Sequence, residues 1–190
     1  MDTRTRILNA SWKLLEKSQG QGVLMTNIAA SAGVSRQALY LHFKTRADLL
    51  IATTMYIDEV KEVDQRLAAS RAAKTGEKRL ALFIEAWGNY IPEIYGVAKA
   101  LITILHTDEE SAKAWDNRMQ AMRQGCEMAI NALKSDGKLS PKLSVKQATD
   151  TLWTLLSVQN WEQLTKQCGW SQAEYISNMQ HSAKAMFVKK

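Results

Sequence analysis

A chain of 190 residues, 46% of them hydrophobic and only two of them proline, is long enough to bury a substantial core and is little interrupted along its length. A net charge of +6 favours an anionic partner, and no apolar run approaches the length of a membrane span. Residues 1–6 lack the apolar stretch of a secretory signal, so the expected location is the cytoplasm. Cys126 and Cys168 stand far apart without a CxxC spacing, which argues against a disulfide framework and a zinc site and leaves two free core thiols.

The charge is unevenly placed. Residues 1–46 hold seven basic and two acidic side chains, whereas the other 144 are nearly balanced, with 18 basic against 17 acidic. A basic head on a neutral body fits a head that meets phosphates and a body that does not. Within the head, Ile7 and Leu8 open a helical pattern with polar Asn9 and Lys13. A second helix, from about Thr26 to Ala32, buries Ile28, Ala29 and Ala32, capped by Thr26 or Asn27, and Gly33 ends it by entering the left-handed conformation. Ser35 restarts the chain as the N-cap of a third helix whose inward residues are Val34, Ala38 and Leu39. Two short helices joined by so tight a turn read as a helix-turn-helix. Arg36 and Gln37 are then the first exposed turn of the helix that enters the groove. Arginine suits guanine O6/N7 and glutamine suits adenine N6/N7, so both are candidate base readers.

The residues Ala32-Gly33-Val34-Ser35, Leu39-Tyr40, His42-Phe43, Arg46 and Asp48-Leu49-Leu50 closely resemble the head of the tetracycline-repressor-type (TetR) family of bacterial one-component regulators. That resemblance implies that Tyr40, His42 and Arg46 clamp phosphates with Lys44 as a helper, and that Thr26 makes a backbone or base contact. Ser35 joins them as a candidate DNA contact. The chain departs from the family pattern at Leu24, where a hydroxyl residue is usual, and at Gly20, where the first-loop glycine falls one position late.

Beyond the head, Leu50, Ile57 and Val60 mark a connecting helix from Leu49 to Leu67, with residues 46–48 as its first turn. A break at residues 68–77 follows. Leu80, Ile84, Trp87, Ile91 and Ile94 then mark a long helix that Pro92 is expected to kink or end. A short apolar helix is expected over Val97 to His106. Residues 107–110 open another long one, striped by Trp115, Met119, Met122, Cys126, Ile130 and Leu133 and stopped by Gly137 and Pro141. Two helices remain, from about Val145 to Lys166 and from about Ser171 to Val188. Ser144 caps the first, and Ser171 with Glu174 forms a capping box for the second.

The expected architecture is all-α, with about nine helices in all: a helix-turn-helix head at residues 1–49 and a helical body at residues 50–190. By resemblance the last two helices form a four-helix homodimer interface, which places Leu152, Leu156, Gln159, Tyr175, Met179 and Ala183 in it. By resemblance again, Trp87, Tyr90, Tyr95, His106, Trp115, Met119 and Trp153 line an effector cavity, favouring an apolar or aromatic small molecule.

Catalytic signatures do not appear. The three histidines, His42, His106 and His181, are unclustered, no HExxH or GxSxG occurs, and residues 75–78 lack the glycines and strand of a phosphate loop. No catalytic residue, metal or cofactor is expected, and the acids at 108–110 suit a helix start. The functional expectation is a dimeric, effector-released repressor that binds double-stranded operator DNA and meets no membrane. A ligand-blind architectural DNA-binding protein is the alternative, and a helical small-molecule-binding protein the less favoured third.

Overall fold

The computed structural model describes residues 1–18 and 23–189; Gly20 lies outside them. Its elements are α1 (Thr3–Lys17), α2 (Met25–Ala32), α3 (Arg36–His42), α4 (Arg46–Val60), α5 (Val63–Arg71), α6 (Gly76–Thr103), α7 (Glu109–Ser135), α8 (Val145–Leu155), α9 (Val158–Glu162), continued by a π-helical turn over Gln163–Gln167, and α10 (Gln172–Phe187). Among the described residues the only β-type pairing is an isolated bridge between Leu139 and Val188, so the fold is all-α as expected.

The chain forms two compact units, residues 1–62 with 94–119, and residues 63–93 with 120–190. The expected boundary at 49/50 falls inside α4, between two buried leucines, and a helix cannot be divided there without opening its core face. The head therefore carries with it all of α4, the end of α6 and the start of α7.

In the first unit α1 buries Ile7, Leu8, Ala10 and Leu15, and α4 buries Leu49, Leu50 and Ile57. Their one buried polar meeting is satisfied, because Thr53 donates to Ser11 Oγ at 2.9 Å. α2 starts without a side-chain cap: Leu24 occupies the N-cap, so neither Thr26 nor Asn27 serves there. The connecting helix is shorter than its periodicity suggests. It stops at Val60, where Glu62 takes a positive φ of 54°, and α5 begins anew at Val63.

The second unit contains the largest departure from local sequence rules. α6 runs unbroken through Pro92, so the separate helix expected over residues 97–106 is its C-terminal half. Proline has no N–H to give to the carbonyl four residues back, which is that of Gly88. Gln172 of α10 replaces the missing donor, its Nε2 donating to Gly88 O at 2.7 Å, while its Oε1 accepts from Trp161 Nε1 at 2.9 Å. Gly88 also admits α10 closely, since a Cβ there would lie 2.8 Å from Ile176 Cγ1. Gln172→Leu removes the donor to the Gly88 carbonyl and the Oε1 that accepts from the Trp161 indole, and is expected to cost about 2 kcal/mol in urea unfolding; an unchanged midpoint and slope would remove this pair from the helix's support.

The helix expected over residues 145–166 is also divided. α8 ends at Leu155, Ser157 caps a new start by accepting from Asn160 N–H at 3.2 Å, and the chain widens into the π turn. Ser144 caps α8 as expected, and does so in a capping box with Gln147, while the expected box of Ser171 with Glu174 forms at α10. Cys126 is a buried thiol whose ionisation is pushed up by desolvation, whereas Cys168 is exposed rather than in a core.

Candidate DNA-binding surface

The turn between α2 and α3 is built from three local devices. Gly33 adopts φ 64°, and the N–H groups of Gly33 and Val34 close back on the carbonyls of Ala30 and Ala29. Arg6 reaches across from α1, its Nη2 donating to Ala32 O at 2.6 Å and Gly33 O at 3.0 Å, so a cation sits at the negative end of α2. Ser35 Oγ accepts from Ala38 N–H at 3.0 Å and starts α3.

Leu39 and Phe43 anchor α3 to the head's core, Ala38 is half-buried beside them, and the other residues of the helix face outward. Arg36, Gln37, Tyr40, Leu41, His42 and Lys44 are all exposed, as are Thr26 and Ser35 beside them. The Arg36 guanidinium lies over the Tyr40 ring, 5.6 Å from its centroid, and that of Arg4 lies over Phe43 at 5.3 Å. A compact surface thus presents Arg36 and Gln37, the two candidate base readers, among cations and hydrogen-bond donors.

Arg46 is not part of that surface. Its side chain is only 13% exposed, and its guanidinium points into the first unit. Nε donates to Val23 O at 2.6 Å, Nη1 and Nη2 meet the Asp108 carboxylate at 2.8 and 2.7 Å, and Glu110 lies 3.6 Å away. The expected phosphate contact is corrected on this ground: the fork is already filled by a carboxylate and a carbonyl. Burial opposes the charge on Arg46, but the carboxylates of Asp108 and Glu110 outweigh it and hold the guanidinium charged. Conversely, hydrogen bonding from Arg46 holds the Asp108 carboxyl at about 2, against an ordinary 3.8.

Asp108 also receives the Ser111 N–H at 3.1 Å, as an N-cap of α7 would, and Glu110 accepts from Ala47 N–H at 3.1 Å. A second tie, Arg118 to Asp58 at 2.7 Å, joins the same two helices farther along. α4 and the start of α7 are therefore clamped at two points. Because the folded Asp108 is more acidic than the unfolded one, its contribution is complete above about pH 4 and is lost as pH falls towards 2. The wild-type chain should accordingly lose about 2 kcal/mol over that window relative to Asp108→Asn, measured by urea unfolding at each pH; parallel pH profiles would contradict it.

The other expected site residues are scattered. Tyr95, Trp115, Met119 and His106 belong to the first unit, and Trp87, Tyr90 and Trp153 to the second. Tyr90 and Trp115 are buried, Trp87 donates from Nε1 to Leu156 O at 2.7 Å, and His106 is exposed in the turn after α6, which takes it out of any apolar cavity. A groove of about 510 Å³ in the second unit is bordered by Lys78, His181 and Lys184, and a concavity of about 420 Å³ in the first by Ile104 and residues 107–110. None of the seven expected effector residues borders either. Leu152, Leu156, Tyr175, Met179 and Ala183 are buried in the chain's own core, so of the six expected interface residues only Gln159 is exposed to a partner. The stripe is real but is already covered. Among the described residues no group of three histidine, cysteine or acidic side chains is arranged to hold a metal ion, and no helix is long and apolar enough to cross a membrane.

Residues 7–53 match the family model described as bacterial regulatory proteins, tetR family. Over 58 residues, 30% of this chain and 29% of the relative, the sequence is 38% identical to the nucleoid occlusion factor SlmA of Marinomonas sp.. The matched region thus spans less than a third of that relative. A TetR-family transcriptional regulator structure from Rhodococcus sp. superposes with a TM-score of 0.76 at 22% identity, covering 98% of this chain and 99% of that one. FadR from Bacillus subtilis, solved with stearoyl-CoA, superposes with a TM-score of 0.75 at 15% identity, covering 94% and 96%.

Proposed function

We propose that this chain, whose residues 7–53 match the tetR family of bacterial regulatory proteins, is a cytoplasmic, dimeric repressor that binds operator DNA through α3 and is released by a small, apolar or aromatic effector. The observation that carries this reading is the α3 surface, where Arg36 and Gln37 stand exposed on a helix that Gly33, Ser35, Leu39 and Phe43 hold rigid. In the major groove, arginine and glutamine at the start of such a helix read guanine and adenine edges, and Tyr40, His42 and Lys44 fix its register on the phosphates. Thr26 and Ser35 flank the same surface.

Two heads on one dimer meet half-sites about one turn apart, so a small displacement of each spoils joint docking. The route for such a displacement runs through the first unit. Arg46 begins four residues after α3 ends and is held by the first turn of α7, so movement of that turn is transmitted to the end of α3. The Bacillus subtilis FadR, solved with stearoyl-CoA, supports a ligand with a long apolar part. Dimerisation is assigned to the outward faces of α8, α9 and α10, with Gln159 of α9 among them, rather than to their buried stripes.

Selection of bound sequences from a random duplex library with the full chain tests the reading. An enriched inverted repeat with half-sites about one turn apart supports it; recovery of no preferred sequence overturns it.

A further inference from the structure

Leu41 is the most anomalous side chain of α3. The helix holds two leucines, two positions and therefore about 200° apart. Leu39 is fully buried, and Leu41 is 83% exposed on the opposite side. Leucine in water forgoes one of the larger gains from apolar burial, and here it does so on the face of Gln37, in a segment that also exposes Arg36, His42 and Lys44. Those neighbours give the surface a positive, hydrogen-bonding character that suits a polyanion and lacks the broad apolar patch of a protein interface. In a DNA duplex the apolar group offered by the major groove is the C5-methyl of thymine.

We propose that Leu41 is a specificity-determining residue that reads a thymine methyl group beside the base contacted by Gln37; this rests on the operator-binding reading above. Leu41 lies four residues after Gln37, so the two side chains share one helix face about 5–6 Å apart. Base pairs rise about 3.4 Å, which puts the thymine one or two base pairs from the base that Gln37 reads. The methyl is packed without a hydrogen bond, so Leu41 adds discrimination that Arg36 and Gln37 cannot: thymine is favoured over cytosine and over deoxyuridine at that position.

The test uses the full chain and the duplex enriched from the random library, with each thymine replaced in turn by deoxyuridine, which lacks only the methyl. One position per half-site should lose about fourfold in affinity, the loss of one buried carbon. Leu41→Ala should bind the thymine duplex more weakly by at least that factor, melt like the wild type, and show no deoxyuridine effect at that position. A Leu41→Ala variant that keeps the full deoxyuridine sensitivity overturns the assignment, even with operator binding intact. So does a variant whose only change is in the sedimentation of the DNA-free protein, since Leu41 is then a protein contact. A wild-type chain that enriches no sequence fails earlier, at the operator-binding reading itself.

Discussion

Arg46→Ala is expected to destabilise the protein by about 3 kcal/mol, because it leaves the Asp108 carboxylate partly buried and without its guanidinium partner. Val23 O and Ser111 Oγ lose donors at the same time. Urea unfolding reads the loss, and Asp108→Asn in the same background should restore part of it, since a neutral amide no longer needs a cation. Operator affinity should fall as the start of α4 loosens, but the slope of log affinity against log salt should not, because Arg46 touches no phosphate. Lys44→Ala is the opposite case: exposed and without a structural partner to lose, it should leave stability unchanged and lower the salt slope by about one. A reduced slope for Arg46→Ala would return that residue to the phosphate clamp.

The paired substitution Arg36→Ala with Gln37→Ala is expected to remove about 4 kcal/mol from operator binding, close to a thousandfold, as two bidentate base contacts are lost. Both side chains are exposed, so the folded state should melt as before. Random duplex should lose far less, only the share of one charge, and the affinity ratio between operator and random DNA should collapse. Equal losses on both duplexes would make these residues phosphate contacts and move base reading elsewhere.

The contrast between Arg36 and Arg46 also explains what was legible in the sequence. Around the turn, cause and effect are local: Gly33 supplies the left-handed residue, Ser35 caps three residues on, and Leu39 is the inward position of a short helix. Family resemblance puts Arg46 on a phosphate, and no local signal contradicts it, because its partner Asp108 lies 62 residues away. Pro92 shows the same limit in the body. Local rules correctly identify the unmade hydrogen bond but cannot show that Gln172, 84 residues beyond Gly88, supplies the donor. The stripes on α8 and α10 were readable as apolar faces, yet burial in the chain's own core and burial against a second copy leave the same pattern. Leu41 carries no sequence signal, because an isolated leucine on a short helix has no period of its own; its exposure gains meaning from Leu39, which anchors the other side.

The most direct test of operator recognition is the ratio of dissociation constants on the selected duplex and on a scrambled duplex of equal length and composition, at one ionic strength of about 150 mM. Sequence-specific reading by α3 predicts a ratio of about 10³ or more in favour of the selected duplex. A ratio near one, with both affinities falling steeply in salt, would mean that the basic head binds DNA only as a polyanion, and would contradict the account at its centre.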